Sequence, residues 1–358
     1  MIDFSILLEN ALALDGYYLT VTALVTLVYQ LLFFAIAFIF DCNKLTDFAG
    51  GSNFIVLAIV TLALDGTWHT RQIVASILLV VWAARLSGFL LFRILRTGKD
   101  DHGGHHRVPF LPCLGGWLFQ MIWVWTVSLP VTVLNSPAVA RFSQPPFGGG
   151  CDIAGVVLYT VGLVIESVSD AQKYRFHARH QGRETVCDTG LFYLSRHPNY
   201  FGEILIQFSI YMVAISAADT RYVSNQASHA LYATILGPVV LTTLILFVSG
   251  LPLLERPNAK ERFEEDNDWE AYSCYLQRTS ILFPFPPRLY ENVPTLVKRT
   301  LFLEFPMYVF DPARHADVGL GEGRGGKDAA RGAVGDLKST TGPSHGINDE
   351  EKGLQPSP

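Results

Sequence analysis

Long apolar stretches recur along this chain, and most are close to the length that a helix needs to cross a bilayer. A membrane-spanning helix requires about 20 mostly apolar residues to cover roughly 30 Å of hydrocarbon. Six stretches meet this requirement and a seventh is shorter: 18–40, 53–65 (the short one), 72–95, 114–134, 152–169, 201–217 and 230–254. The pattern predicts an all-α, polytopic membrane protein with about seven transmembrane helices.

The composition agrees with this pattern and argues against several other classes. Only 16% of the 358 residues are charged, whereas soluble domains carry about a quarter, and the mean hydropathy is +0.29. The net charge of −5 offers no basic surface for a nucleic-acid partner. The five cysteines lie far apart without a C-x-x-C pair, so neither a zinc site nor a disulfide framework is expected.

The distribution of lysine and arginine predicts the orientation, because cytoplasmic loops carry an excess of basic residues. With seven spans and the N-terminus outside, the inside segments hold Arg93, Arg96, Lys99, Arg107, Lys173, Arg175, Arg179, Arg183, Arg196, Arg256, Lys260 and Arg262. The outside loops hold only Arg71, Arg141 and Arg221. We therefore expect a cytoplasmic C-terminus. The endoplasmic reticulum or another endomembrane fits this orientation, and a bacterial inner membrane satisfies the same rule.

The chain is expected to divide into four parts. Residues 1–52 hold the first transmembrane helix and a loop, 53–290 form the main transmembrane domain, and 291–311 form a short C-terminal extension. Residues 312–358 are rich in Gly, Asp, Lys, Ser and Pro and poor in aromatics, so they cannot bury enough apolar surface to offset their ordering entropy. We expect a disordered tail there.

The stretch CDTGLFYLSRHPNYFGE (187–203) carries the most specific chemistry. Pro198 suits a first helical turn, where its missing N–H is not needed. Asn199, Glu203 and Gln207 then follow at i, i+4 and i+8, on one face of an apolar helix. Arg196 and His197 stand at the helix entrance, where an anion is favoured. The alternative interpretation is interfacial snorkelling plus one hydrogen-bonded glutamate.

A second polar stripe lies at the cytoplasmic end of the preceding span. Glu166, Asp170 and Lys173 follow at i, i+4 and i+7, and they could instead be a surface pair at the water boundary. The two stripe-bearing helices are joined by one short loop, so we expect them to pack together around a cavity that opens to the cytoplasm. Arg85 lies well inside the apolar run 72–95 and is expected to pair with an acid or an anionic ligand.

Two further stretches are open to more than one interpretation. After the last span, Trp269, Tyr272 and Arg278 either lie on a solvated helix or form a cap that closes a ligand pocket. The histidines of DDHGGHHR, at 102, 105 and 106, have Gly-rich spacing without a helical register, so we interpret them as solvated and expect no metal.

These motifs resemble the C-terminal domain of the steroid 5α-reductase superfamily, in particular a largely uncharacterised membrane branch. The matching strings are WAARL (82–86), DAQK (170–173), SRHPNYFGE (195–203), PLLE (252–255), DWEAY (268–272) and LFP (282–284). The resemblance covers roughly residues 55–290 and implies a seven-helix fold that holds NADPH in a cavity open to the cytoplasm. It also implies reduction of a C=C bond conjugated to a carbonyl in a lipid-like substrate, a reaction that forms an enolate needing a hydrogen-bond donor.

By motif position, the resemblance places cofactor binding at Asp170, Asn199 and Glu203, with Arg196, His197 and Tyr200 as neighbours. Arg85 and Tyr272 complete the expected cofactor set. In steroid reductases a Glu and a Tyr from the N-terminal half orient the ketone. Glu9 and Tyr29 occur in that half in no matching context, so the catalytic residues stay unassigned and a steroid substrate is not supported.

Two alternative functions are open. Isoprenylcysteine and phospholipid methyltransferases have a related helical core and an R-H-P-x-Y motif, and in them this region binds S-adenosylmethionine. The D-x-Q-K segment and the N-Y-F-G-E continuation favour the reductase. The other alternative is a non-catalytic membrane protein that keeps the fold and the cavity.

Overall fold

The computed structural model describes residues 15–40, 45–97, 110–179, 186–265 and 268–312, and this part of the chain is helical without a strand. The first seven helices are α1 (Leu19–Phe40), α2 (Leu45–Asp65), α3 (Thr70–Thr97), α4 (Phe110–Val127), α5 (Leu129–Leu134), α6 (Pro137–Ala140) and α7 (Gly150–Arg179). The remaining helices are α8 (Leu191–Leu194), α9 (Pro198–Ile215), α10 (Asn225–Ala233), α11 (Leu236–Thr243), a π-helical turn (Leu244–Val248), α12 (Leu251–Glu264), α13 (Trp269–Arg278), α14 (Pro287–Tyr290) and α15 (Thr295–Thr300).

The predicted all-α, polytopic class is confirmed, and each predicted span coincides with helix. Five candidate spans in the described residues are long and apolar enough to cross a membrane: Leu19–Ile39, Phe48–Asp65, Thr70–Phe89, Gly150–Arg179 and Asn225–Glu264. The two other predicted spans correspond to a shorter apolar helix, Leu114–Val127, and to α9, which carries polar residues. The helix predicted at 53–65 is longer in the structure and begins at Leu45. Its first turns hold polar and glycine residues that pack inside the bundle, so they do not appear as an apolar run in the sequence.

The core lies where the long helices meet. Phe54 of α2 packs edge-on against Trp82 of α3, with ring centroids 5.1 Å apart, and against Trp123 of α4 at 5.2 Å. Ile206 and Ile210 of α9 belong to the same buried cluster. These contacts bring α2, α3, α4 and α9 around one interior.

Helices α7 and α9 cross at very short range through glycines. A Cβ placed on Gly202 would lie 2.8 Å from the carbonyl oxygen of Gly162 and 2.9 Å from the backbone nitrogen of Glu166. Small residues at membrane-helix crossings allow backbones to approach in this way. The expected packing of the two stripe-bearing helices is therefore present, and it places Glu166 beside the first turns of α9.

The remaining helices cover one end of the bundle. The Trp269 ring packs on Phe263 of α12 at 5.4 Å and on Phe310 at 5.6 Å, and Phe247 of the π-helical turn stacks on Phe305 at 5.4 Å. The predicted tail lies outside the described residues from 313 onward.

Candidate functional site

The start of α9 is fixed by the segment that follows α13. Ser195 forms an isolated parallel bridge with Ser280, and the backbone N–H of Arg196 donates to the Ser280 carbonyl at 2.8 Å. The Ser195 hydroxyl donates to the Leu282 carbonyl at 2.8 Å. His197 is the N-cap of α9 and Pro198 its first residue, as the motif predicted. The backbone of S-R-H-P is therefore held from a distant part of the sequence.

Arg196 lies at the centre of the first charged cluster. Its Nη1 contacts Glu255 of α12 and its Nη2 contacts Glu304, and the Arg196 and Glu255 side chains are only 5% and 4% exposed. The other oxygen of Glu255 bonds His197 Nε2 at 2.5 Å, and the Tyr290 hydroxyl donates to Glu304 at 2.6 Å. Burial acts to lower the pKa of the Arg196 guanidinium, but the carboxylates of Glu255 and Glu304 outweigh it and raise this pKa above its usual value.

Arg85 lies at the centre of the second charged cluster, between α3 and α7. Its Nη1 donates to Asp170 Oδ2 at 2.8 Å, and its Nη2 contacts Glu166. Glu203 of α9 lies within electrostatic range of both Arg85 and Asp170. One guanidinium therefore contacts two carboxylates and lies near a third, and Arg85 Nε is buried without a hydrogen-bond partner in the described chain. Glu166 also lies within hydrogen-bonding reach of the Trp82 side chain.

Tyr200 connects the two clusters. Its ring stacks on His197 with centroids 5.3 Å apart and planes 8° from parallel. It also lies within electrostatic range of Glu203 and Asp170. The first two turns of α9 thus carry side chains that reach both charged clusters.

A pocket of about 310 Å³ opens beside the Arg196 cluster, between the end of α7 and the helices α12 and α13. Arg196, His197 and Glu255 form one wall, and Tyr272 and Tyr275 form another. The lining also includes Lys173, His177 and Arg262 and the acidic Glu261. Lys173 lies about one helical turn beyond Asp170 on α7, so the pocket adjoins the Arg85 cluster along that helix.

The comparison with known proteins concerns most of the chain. Residues 33–279 match the model of a family described as "Protein of unknown function (DUF1295)". The chain belongs to the DUF1295 family. No curated protein and no solved structure matches it.

All eight expected site residues lie within the DUF1295 match, and they occupy neighbouring positions in the structure. Arg196, His197 and Tyr272 line the pocket, and Arg85 and Asp170 form the ion pair of the second cluster. Tyr200 lies between these groups, and Glu203 lies within electrostatic range of Arg85 and Asp170. Asn199, on the first turn of α9, is partly buried.

The three expected cap residues have different surroundings. Tyr272 lines the pocket, and the Arg262 guanidinium lies over its ring at 4.8 Å. Trp269 instead packs into the aromatic contact with Phe263 and Phe310. Arg278 pairs with Asp188 at 2.6 Å. Of the three, Tyr272 lines the pocket, together with its neighbour Tyr275.

Some functional candidates carried too weak a signal in the sequence. Glu255 ends the string PLLE but had no assigned role, while Tyr290 and Glu304 lie beyond the DUF1295 match. Only their contacts with Arg196 and with each other reveal them. The three histidines of DDHGGHHR lie outside the described residues, and the described part shows no group of three or more metal-ligating side chains.

Proposed function

We propose that this protein is an integral membrane oxidoreductase that uses NADPH to reduce a C=C bond conjugated to a carbonyl in a lipid-like substrate. The observation that supports it best is the pocket lined by Lys173, Arg196 and Arg262, which adjoins the buried carboxylates around Arg85. The motif resemblance to the steroid 5α-reductase superfamily supports the same assignment.

The residues present fit a nicotinamide dinucleotide. Buried polar atoms normally have partners, so the open position on Arg85 Nε suits a hydrogen-bond acceptor of a ligand. Carboxylates such as Asp170 and Glu203 can accept hydrogen bonds from ribose hydroxyls and from a carboxamide. Lys173 and Arg262 in the pocket lining suit phosphates.

The charge of the pocket lining favours this cofactor over S-adenosylmethionine. NADPH carries a pyrophosphate and a further phosphate, whereas S-adenosylmethionine carries a sulfonium cation and no phosphate. In the pocket lining the cations Lys173, Arg196 and Arg262 outnumber the carboxylates of Glu255 and Glu261, so the pocket attracts NADPH more strongly. The methyltransferase of the isoprenylcysteine or phospholipid type is therefore the second candidate.

The chemistry assigns distinct tasks to the chain and the cofactor. Bound NADPH would supply the hydride. The chain's task is to orient the nicotinamide with the carboxylates of α7 and α9 and to keep water away from the reacting carbon. The site lies at the ends of membrane helices, which suits a substrate that partitions into lipid.

Binding measured in detergent solution tests the assignment. We expect purified protein to bind NADPH and to transfer deuteride from deuterated NADPH to a member of an enone panel. Asp170→Asn should weaken NADPH binding about ten- to a hundredfold, the effect of losing one charge-assisted hydrogen bond. The matched control is Asp219→Asn, in an exposed ion pair with Arg221, which should bind NADPH as the parent does.

A parallel titration with S-adenosylmethionine separates the two enzyme classes. Binding of S-adenosylmethionine without NADPH would replace the reductase by the methyltransferase. Binding of neither ligand would favour the non-catalytic protein. In that case Asn199→Ala and Glu203→Gln should change only the melting temperature.

A further inference from the structure

The segment at 287–309 has two different sides. Its inner side is packed: Phe302 contacts the rings of Phe285 and Tyr290, each at 5.0 Å, and the Tyr308 hydroxyl bonds the Leu246 carbonyl. Tyr290 is fully buried and Tyr308 is 3% exposed. The segment is therefore docked on the bundle.

The outer side of the same segment carries large apolar side chains among polar ones such as Glu291 and Thr295. Leu289, Leu296 and Leu301 are 59%, 73% and 69% exposed. Because the inner side is anchored, this exposure belongs to the folded molecule. With Met307 and Val309, which are 39% and 47% exposed, five large apolar side chains are exposed on this one short segment, which indicates an interaction surface.

The position of the segment relates this surface to the lipid-facing part of the bundle. Phe247 and Val248, at the end of the π-helical turn in the candidate span Asn225–Glu264, are 45% and 47% exposed. Phe247 stacks directly on Phe305 of the segment. The apolar exterior of the last span therefore continues into the segment.

Basic side chains accompany the exposed leucines. Arg288 and Arg299 are exposed, and Lys298 donates from Nζ to the Gln277 carbonyl at 3.1 Å while lying over the Tyr290 ring. Leucines combined with arginines are typical of segments that lie in the interface of an anionic membrane. This end of the bundle is the one that the charge distribution predicts to be cytoplasmic.

From this combination we propose that residues 287–309 rest on the bilayer at the Arg196 end of the bundle. Leu289, Leu296 and Leu301 enter the acyl boundary, and Arg288 and Arg299 contact anionic headgroups. The segment also supplies Glu304 to Arg196, so its membrane contact supports one wall of the pocket. The contact itself does not depend on which cofactor the pocket binds.

The test uses the full chain with its five cysteines replaced by alanine, reconstituted into phosphatidylcholine vesicles with or without phosphatidylserine. Leu296→Cys is labelled with bimane, and Leu301→Cys provides a second position. The control is Glu270→Cys, an exposed site on α13. Melting temperatures verify that each variant is folded.

We expect the label at 296 or 301 to emit at shorter wavelength, to be quenched by nitroxide-labelled lipid and to lose quenching by iodide. The label at 270 should emit at longer wavelength, should be quenched by iodide and should not be quenched by nitroxide-labelled lipid. Phosphatidylserine should increase the lipid quenching, and the increase should vanish in Arg288→Gln/Arg299→Gln. Three results would each overturn the proposal. The first is iodide quenching equal to that at 270, and the second is no response to phosphatidylserine. The third is an emission shift that grows with protein density, as expected for a contact between copies.

Discussion

At the scale of single residues, the buried ion pair of Arg71 and Asp152 has several hydrogen bonds and lies at the opposite end of α7 from the Arg85 cluster. Arg71 Nε and Nη2 each donate to Asp152 at 2.9 Å, and the side chains are 2% and 0% exposed. The N–H groups of Gly148 and Gly149 also donate to Asp152, at 3.0 and 3.1 Å. The pair holds the loop before α7 against α3.

Breaking this pair from one side should be costly. Asp152→Ala leaves the Arg71 guanidinium buried without its counter-ion, and we expect a loss of about 3–5 kcal/mol of unfolding free energy. Thermal unfolding in detergent measures it. The control Asp219→Ala removes the partner of the exposed Arg221 and should leave the melting temperature unchanged. Equal melting temperatures for both variants would contradict the prediction.

The folding stability of the protein should depend on pH through the Tyr272 hydroxyl. Burial raises the pKa of its hydroxyl from 10.0 to about 12, and the charge of Glu255 acts in the same direction. The unfolded chain therefore loses this proton first as the pH rises. The stability contribution is complete below pH 10 and is lost as the pH rises towards 12.

Tyr272→Phe should therefore lose less stability than the parent over this alkaline interval, because phenylalanine keeps the ring under Arg262 without the ionisable hydroxyl. The measurement is the melting temperature as a function of pH. Tyr222→Phe, at an exposed position, is the control and should follow the parent. A Tyr272→Phe profile that coincides with the parent profile would contradict the linkage.

At the scale of helices, the crossing of α7 and α9 determines how the charged clusters meet. The Cβ of an alanine at 202 would contact backbone atoms of Gly162 and Glu166 at 2.8 and 2.9 Å. Backbone cannot give way as a flexible side chain can. The two helices would have to separate, and Glu166 would move away from Arg85.

Gly202→Ala should therefore cost about 1–3 kcal/mol, as overpacking does, and should also weaken ligand binding at the site. The matched control is Gly88→Ala on α3, where an added Cβ meets no atom within 4 Å. That variant should be neutral or slightly more stable because alanine favours helix. Unfolding and ligand titrations of the two variants measure the difference. A Gly202→Ala protein as stable as Gly88→Ala would show that the helices can separate freely.

At the scale of the whole molecule, the arginine and lysine pattern predicts which ends share a compartment. We expect a glycosylation acceptor inserted between Asp219 and Ser224 to be modified in microsomes, since that loop is predicted to be outside. An acceptor inserted at 266–267 should stay unmodified. Gel mobility before and after deglycosylation shows whether each acceptor is modified. Modification of the second acceptor alone would reverse the predicted orientation.

The sequence predicted the helical class and the packing of the two polar stripes, because apolar length and helical spacing are local properties. The predicted run began at 53, whereas α2 begins at Leu45. Gly50, Gly51 and Ser52 are typical of a loop, and their neighbours on other helices are not visible in the sequence. The sequence also singled out Arg196 as a candidate site residue but could not name its partners. The contact with Glu304 joins residues far apart in sequence, and no local pattern encodes it.

The position of Glu304 has a practical consequence for anyone trimming this protein for expression. A chain cut at residue 279, where the family match ends, retains the whole S-R-H-P motif but discards Ser280, Tyr290 and Glu304. Its Arg196 then keeps Glu255 and loses both its second carboxylate and the backbone bond that fixes the motif. The contacts that hold the motif therefore extend beyond residue 279, where the family match ends.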